Sequence, residues 1–505
     1  MLDKDLVHVR KPIIPIIETN RTIVLGSIIL AMFMAAIEGT IVATAIPSIV
    51  ADLGGFSLFS WVFSSFLLAQ AVTIPIYGKL ADLYGRKPVF TFGVLVFLVG
   101  SLLCGFAKTM NMLILFRLIQ GLGAGAVQPI ATTIIGDIYT MTERARIQGY
   151  ISSVWGISSV IGPGLGAFFV QYVRWSWIFW VNIPIGLLAV AGIWFFLGET
   201  VQKREHEIDY LGSALIFISI SALMVVFIQA GTVWSWSSAP VFLLLGVFLA
   251  GTYLFIIQEK HATEPIMPLE IWTDSLIVVS NLATLTTGVV IIGVSSFLPT
   301  YIQGVMGKSP IVAGFALSFM SMGWVVGATV SGKVMFKYGF RRIAIVGGIW
   351  ILIGSVFYIT LRPERGWLWA GVGSLLIGFG MGLARTVFIV GIQNNVTWKM
   401  RGAATASNMF MNILGNAMGA AVLGGVLNLS LTSYLKGVKG KTLNVDVINV
   451  LLDQVKRGTL PQGVLQIMSS GLAIALHYVF GGLFILAVLS FILIMFFPAK
   501  VRDSA

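Results

Sequence analysis

Long apolar stretches separated by short polar loops recur from one end of the chain to the other. Each runs eighteen or more residues with almost no charge, enough for a helix to cross the roughly 30 Å hydrocarbon core of a bilayer. Strand-like alternation is missing, and a backbone in lipid has to satisfy its own hydrogen bonds, so the pattern predicts helices. Fourteen are expected, near 22–47, 58–78, 89–107, 110–136, 146–172, 175–197, 210–230, 239–257, 275–301, 311–333, 342–360, 367–391, 402–427 and 472–497. The expected fold class is an all-α integral membrane protein. An even number of spans puts both termini on one side.

Composition agrees. Of the 505 residues 57% are hydrophobic and 10% charged, where a soluble chain has about a quarter charged. The net charge of +12 does not mark a nucleic-acid surface, because the basic residues are spread among short loops. The loops on the side of the termini hold 20 Lys and Arg against 10 on the other, five of those in the long segment 428–471. An excess of that kind marks the cytoplasmic side, so both termini are expected there, in the cell membrane. The first apolar run is too long for the core of a signal peptide and contains Glu38, so it reads as a retained helix. The single cysteine, Cys104, excludes a disulfide framework and a cysteine-rich metal site.

An internal repeat divides the chain. "GKLADLYGRK" at 78–87 returns as "GKVMFKYGFRR" at 332–342, offset 254, and "GLGAGAVQ" at 121–128 returns as "GFGMGLAR" at 378–385, offset 257. Arg144 maps onto Arg401 at the same 257. Such repeats build many secondary transporters. The expected organisation is a tail 1–21, a six-helix bundle 22–197, a charged linker 198–209, two inserted helices 210–257, a linker 258–274, a second six-helix bundle 275–497 containing the long outer segment 428–471, and a tail 498–505. The apolar residues of "NVDVINVLLDQVKRG" within 428–471 suit a short amphipathic helix, either covering the outer mouth or lying on the membrane surface.

The repeated loop concentrates charge where there is otherwise little. Gly78 and Gly85 allow tight turns; Asp82 can meet a helix N-terminus or pair with Arg86, and Asp137 at the end of the fourth helix is another candidate partner. With Lys87 these residues form either a latch that gates the cytoplasmic side or a solvated loop whose charges set topology.

Of the 20 acidic residues only Glu38 falls well inside a helix. A carboxyl group at that depth is a functional-site candidate. Glu38 lies nine residues before Pro47 on a helix running outward, and Arg117 nine residues after Lys108 on one running inward. At 1.5 Å per residue both sit about 13 Å below the outer ends, so the opposite charges share a depth. Two readings follow: a proton and cation coupling site biased by Arg117, or a permanent pair joining two helices. Arg385 either faces a cavity and draws an anion or extends toward the inner surface. Asn408, Asn412 and Asn416 share one helix face and either line the cavity or bond helices together. Gly156, Gly162, Pro163 and Gly166 give the fifth helix close approach and a kink. His477 near a helix end reads as structural.

Several motifs together resemble the major facilitator superfamily, and within it the fourteen-helix drug:proton antiporter branch. "GKLADLYGRK" is similar to its helix 2–3 loop, "LILFRLIQGLGAGAVQP" to its helix 4 motif with Arg117 at the basic position, and "GISSVIGPGLGAFF" to its helix 5 antiporter motif. "WSWIFWVNIPIG" and "IEGTIVATAIP" resemble flanking signatures of the branch. The chain departs in having Glu38 where Asp is usual, and Phe336 where the second loop copy would repeat Asp82. The resemblance implies a proton-coupled, alternating-access exporter, not an enzyme, of amphipathic cationic or neutral compounds, with helices 1 and 4 lining the cavity. It implies a monomer with small-molecule substrate, protons and lipid as partners. "GKS" at 307–309 lacks the earlier glycine of a phosphate loop, and "GLGAGA" follows no strand, so no nucleotide, cofactor or metal site is expected. The loops leave no room for an ATP-binding domain, and the drive is expected to be an ion gradient. Two other readings stay open: a transporter of a physiological solute such as an amino acid, siderophore or lipid, and a non-transporting receptor, for which the seven-residue tail after Pro498 offers no output domain.

Overall fold

The computed structural model describes residues 19–498 apart from 140, 200–208, 231–232, 264, 266–268, 397, 438–447 and 453; for some helical residues, Asp82, Arg144 and Arg401 among them, the backbone alone is described. The outermost tails, most of linker 198–209 and the middle of 428–471 therefore lie outside the described residues.

Fourteen helical segments among the described residues are long and apolar enough to cross a membrane. The first half holds α1 (Arg21–Leu53), α2 (Phe59–Tyr84), α3 (Arg86–Gly105), α4 (Met110–Ile138), α5 (Met141–Tyr172), α6 (Trp177–Trp180) and α7 (Asn182–Phe196), the last two forming one span. Then come α8 (Tyr210–Gln229) and α9 (Ala239–His261). The second half holds α10 (Ser275–Thr300), α11 (Pro310–Tyr338), α12 (Phe340–Ile359), α13 (Gly366–Asn395), α14 (Trp398–Gly437), the short α15 (Ile448–Leu452) and α16 (Gln454–Arg457), and α17 (Gln462–Met495). Local chemistry sets several starts. Asn20, Thr109, Asp209 and Asp274 each accept a backbone N–H from the first turn of the helix they precede, satisfying donors that have no partner within the helix. α1 continues through Pro47 to Leu53, six residues past the expected boundary, and stops at Gly54 and Gly55, both with positive φ.

Helices α1–α7 pack chiefly on one another, and so do α10–α17. The two bundles meet on the side away from the termini. There one apolar core takes residues from both, including Ile46 and Phe59 from the first and Phe297, Leu317, Leu427 and Phe480 from the second. Phe59 and Phe297 meet edge to face with centroids 5.4 Å apart, and the Asn428 amide donates to the Ser57 carbonyl at 2.7 Å. On the side of the termini the cores are separate, one around Phe90 and Ile134 and the other around Ile343, Phe388 and Phe497. The molecule is thus closed at one face and divided at the other.

Two further elements complete the closure. α15 buries Ile448, Leu451 and Leu452 against α1 and α17, and Arg457 after it donates to the carbonyls of Gln303 and Gly304. α8 straddles the seam between α2 and α14, where Leu68, Met224 and Ala417 share a small core, while α9 packs mainly on α8 and keeps most of its surface exposed.

Candidate functional site

Glu38 and Arg117 form a buried ion pair, the carboxylate Oε1 taking a hydrogen bond from the guanidinium Nη1. Glu38 has no exposed surface and Arg117 retains 2%. The amide of Asn182, at the break between α6 and α7, donates to the second carboxylate oxygen at 2.7 Å. Arg117 also donates through Nε to the Val62 carbonyl at 3.0 Å and through Nη1 to Gln120 Oε1 at 2.7 Å. Gln120 in turn donates to Ser101 Oγ at 2.8 Å. The Phe66 ring lies under the guanidinium, 4.0 Å from centroid to carbon, and Phe179 is at 5.8 Å. One arginine thus ties together α1, α2, α4 and, through its neighbours, α3, α6 and α7. With both oxygens accepting, Glu38 is arranged as a carboxylate.

The pairing follows from the equal depth of the two charges, but their surroundings differ from the expectation. Glu38 points into the packing of the first bundle and is sealed from solvent in this conformation, so it does not present a cation site on a cavity wall. The reason is that protein groups meet the pair: Asn182 donates to the second carboxylate oxygen and Gln120 accepts from the guanidinium. Neither was singled out from sequence. Gln120 was legible as a polar residue one helical turn after Arg117, whereas Asn182 reaches Glu38 only through the break between α6 and α7.

The charged loop is fastened at the divided face. Gly85, with φ 95°, ends α2 and begins α3, and the carboxylate of Glu199 caps α3 by accepting the N–H groups of Arg86 at 2.5 Å and Lys87 at 3.0 Å. Lys87 Nζ donates to the Leu197 carbonyl at 3.1 Å, and Arg86 Nε lies 3.0 Å from Asp137 Oδ2. Asp137 is thus brought to Arg86. Glu199, missed from sequence because it sits in a charged linker, anchors the loop to the end of α7. Gly78 faces open space, and the Asp82 side chain lies outside the described residues.

α5 runs between α1 and α11. A Cβ on Gly162 would stand 2.0 Å from Thr40 Oγ1, one on Gly166 2.2 Å from Thr44 Oγ1, and one on Gly156 2.8 Å from a Val325 methyl. The Pro163 carbonyl packs on Gly314. Asn408 is not on a cavity wall: 1% exposed, its amide donates to Asn281 Oδ1 and Thr284 Oγ1, both at 3.0 Å, and so bonds α14 to α10. Asn412 is likewise buried beside α10. His477 bonds the Ile359 carbonyl at 2.7 Å, a structural contact. Arg385 lies over the Trp324 ring at 5.3 Å and lines a small cavity with Thr287, Met381 and Phe388.

The sequence model of the Major Facilitator Superfamily matches residues 28–420. "Multidrug resistance protein 3" of Bacillus subtilis is 34% identical over 497 residues, 96% of this chain and 97% of that protein. "Multidrug transporter protein MdtP" of the same organism is 32% identical, covering 90% of this chain and 84% of its own length. Among solved structures, a bacterial homolog of the human lysosomal transporter Spinster in an inward-facing, unoccupied conformation is similar with TM-score 0.67 at 17% identity, over 96% of this chain and 99% of that one. A D-xylose–proton symporter is similar with TM-score 0.61 at 12% identity, over 96% and 99%. These two likenesses concern the fold.

Proposed function

The chain belongs to the Major Facilitator Superfamily, and from that premise we propose that it expels amphipathic cationic or neutral toxic compounds in exchange for protons. It is a multi-pass plasma-membrane protein of a transporter family. The observation that carries the proton reading is the sealed Glu38–Arg117 pair. A proton placed on Glu38 removes the charge that holds Arg117 and leaves a buried guanidinium without its partner, which is strongly unfavourable. Protonation and the packing of α1 on α4 are therefore linked. Sealing serves exchange as well, since a carboxyl group open to both faces would leak protons. Glu38 takes its proton in a conformation other than this one.

The excess of basic residues puts the divided face, with both termini, in the cytoplasm, which makes this the inward-facing state. Substrate reaches the space between the bundles from that side. The bundles then close there and part at the outer core, where Phe59 leaves Phe297. Gly162 and Gly166 let α5 pack tightly on α1, and with the Arg86–Asp137–Glu199 cluster this keeps the first bundle rigid as it swings. Apolar walls explain broad selectivity because apolar contact has no preferred direction.

The test is transport in proteoliposomes with an imposed pH gradient and a cationic dye as cargo. The wild-type chain accumulates dye against its gradient. Glu38→Gln loses gradient-driven accumulation but keeps dye-for-dye exchange. Undiminished gradient-driven transport by Glu38→Gln would remove proton coupling from this residue.

A further inference from the structure

We propose that Arg385 forms a subsite for the anionic group of an amphipathic substrate, a carboxylate above all, on the wall of the second bundle. The inference rests on the transport reading, but not on proton coupling. It begins with a count of charges. Between residues 275 and 497 the acidic residues are Glu364, Asp446 and Asp453, and none of them falls within one of the long apolar runs of the sequence. Arg385 therefore has no carboxylate in its own bundle's spans with which to pair, and Glu38 is already occupied by Arg117 and Asn182.

A charged residue in a membrane span is costly unless it is paired or faces a polar cavity. Arg385 stands ten residues before the end of α13, about 15 Å along the helix. That is farther than an arginine side chain extends, so reaching out to the polar surface does not resolve the charge. What surrounds it is the Trp324 ring at 5.3 Å and a cavity of about 10 Å³, room for roughly one water-sized group. The cavity lies between α10, α11 and α13, and α10 and α11 are the helices that meet α1 and α5 of the first bundle. It therefore sits on the side of the second bundle that faces the first.

The chemistry of the wall fits a particular ligand. A guanidinium is matched to a planar carboxylate, which it can hold by two parallel hydrogen bonds. Met381 and Phe388, four residues before and three after Arg385, share its helix face but are buried in the core behind it, so the apolar surface beside the charge is the half-buried Trp324 ring. An aromatic or alkyl acid placed there would set its anionic end on Arg385 and its body against Trp324, toward the first bundle, outside the small cavity. The substrate range then includes weak acids and zwitterions as well as cations.

The experiment uses the full chain in phosphatidylcholine nanodiscs, where no anionic headgroup competes, and dansylglycine with its methyl ester as probes. Wild type is expected to bind the acid about tenfold more tightly than the ester, as one charge-assisted contact provides. Arg385→Gln should bind both alike, and Arg385→Lys should keep part of the preference. Equal affinity for acid and ester in the wild type would overturn the proposal, as would a preference that survives in Arg385→Gln. Glu38→Gln should retain the acid preference while losing pH-driven transport, so failure of proton coupling and failure of this subsite read out separately. Retained melting temperature and a monodisperse elution profile for Arg385→Gln establish that lost preference is not lost fold.

Discussion

The two bundles share a scaffold and differ in chemistry. In the first, α3 and α4 approach so closely that a Cβ on Gly123 would stand 2.5 Å from the Gly93 carbonyl oxygen; in the second, α12 and α13 meet in the same way, Gly380 against the Gly347 carbonyl at 2.4 Å. The offsets of the repeat continue the parallel: Ser101 corresponds to Ser355, 254 positions on, and Arg117 to Ser374, 257 positions on. Where the first bundle has an arginine, a glutamine and a carboxylate, the second has a neutral hydrogen bond of 2.6 Å between Tyr358 and Ser374. A neutral pair therefore holds these helices together well enough. The charge in the first bundle is not required by packing, which favours a working role for it over a merely structural one. Arg385 reverses the contrast, because there the second bundle has the charge and the first has Gln128.

Mutations can break this comparison in order of size. Arg117→Ala should be the most damaging, about 3–5 kcal/mol, because it leaves Glu38 buried without its cation, whereas Ser374→Ala should remove about 1 kcal/mol. Thermal unfolding of the detergent-solubilised protein measures both. The double variant Glu38→Gln with Arg117→Gln should recover much of the loss but no proton-driven transport; recovery of transport would make the pair structural. Next come the glycines of α5. Gly166→Val forces a side chain onto Thr44 and the Ile41 carbonyl and should destabilise by about 1–3 kcal/mol and slow transport, while Gly164→Val, which meets open space, should do neither. Equal effects would deny that α5 depends on its contact with α1. In the second bundle, Tyr358→Phe should lower stability by about 1 kcal/mol and leave coupling untouched. The smallest effect is expected at the divided face. Asp137 is half exposed, so Asp137→Asn should change stability by less than about 1 kcal/mol, and its signature should be in the transport rate.

Much of this was legible from residue order. Hydropathy alone marks fourteen spans, because a helix in lipid must be long and apolar whatever its neighbours are. Depth along antiparallel helices brings Glu38 to Arg117, and the position of Asp137 at a helix end brings it near Arg86. The seal around Glu38 was not legible, since Asn182 is 144 residues away and reaches the carboxylate through a helix break that hydropathy does not register. Nor was the part played by Glu199, a linker residue that becomes the cap of α3 only when α7 lies beside it.

The sequence by itself determined the membrane class, the spans, the internal repeat and the scarcity of charge that makes Glu38, Arg117 and Arg385 conspicuous. These are one-dimensional properties, governed by transfer from water to hydrocarbon and by helix length. The tertiary structure alone decided that Glu38 is enclosed, that Asn408 bonds helices instead of lining a cavity, that α8 lies over the α2–α14 seam, and which face is open. Each of those depends on which helix faces are turned toward one another, and side-chain contact between distant segments is set only once the bundles have packed.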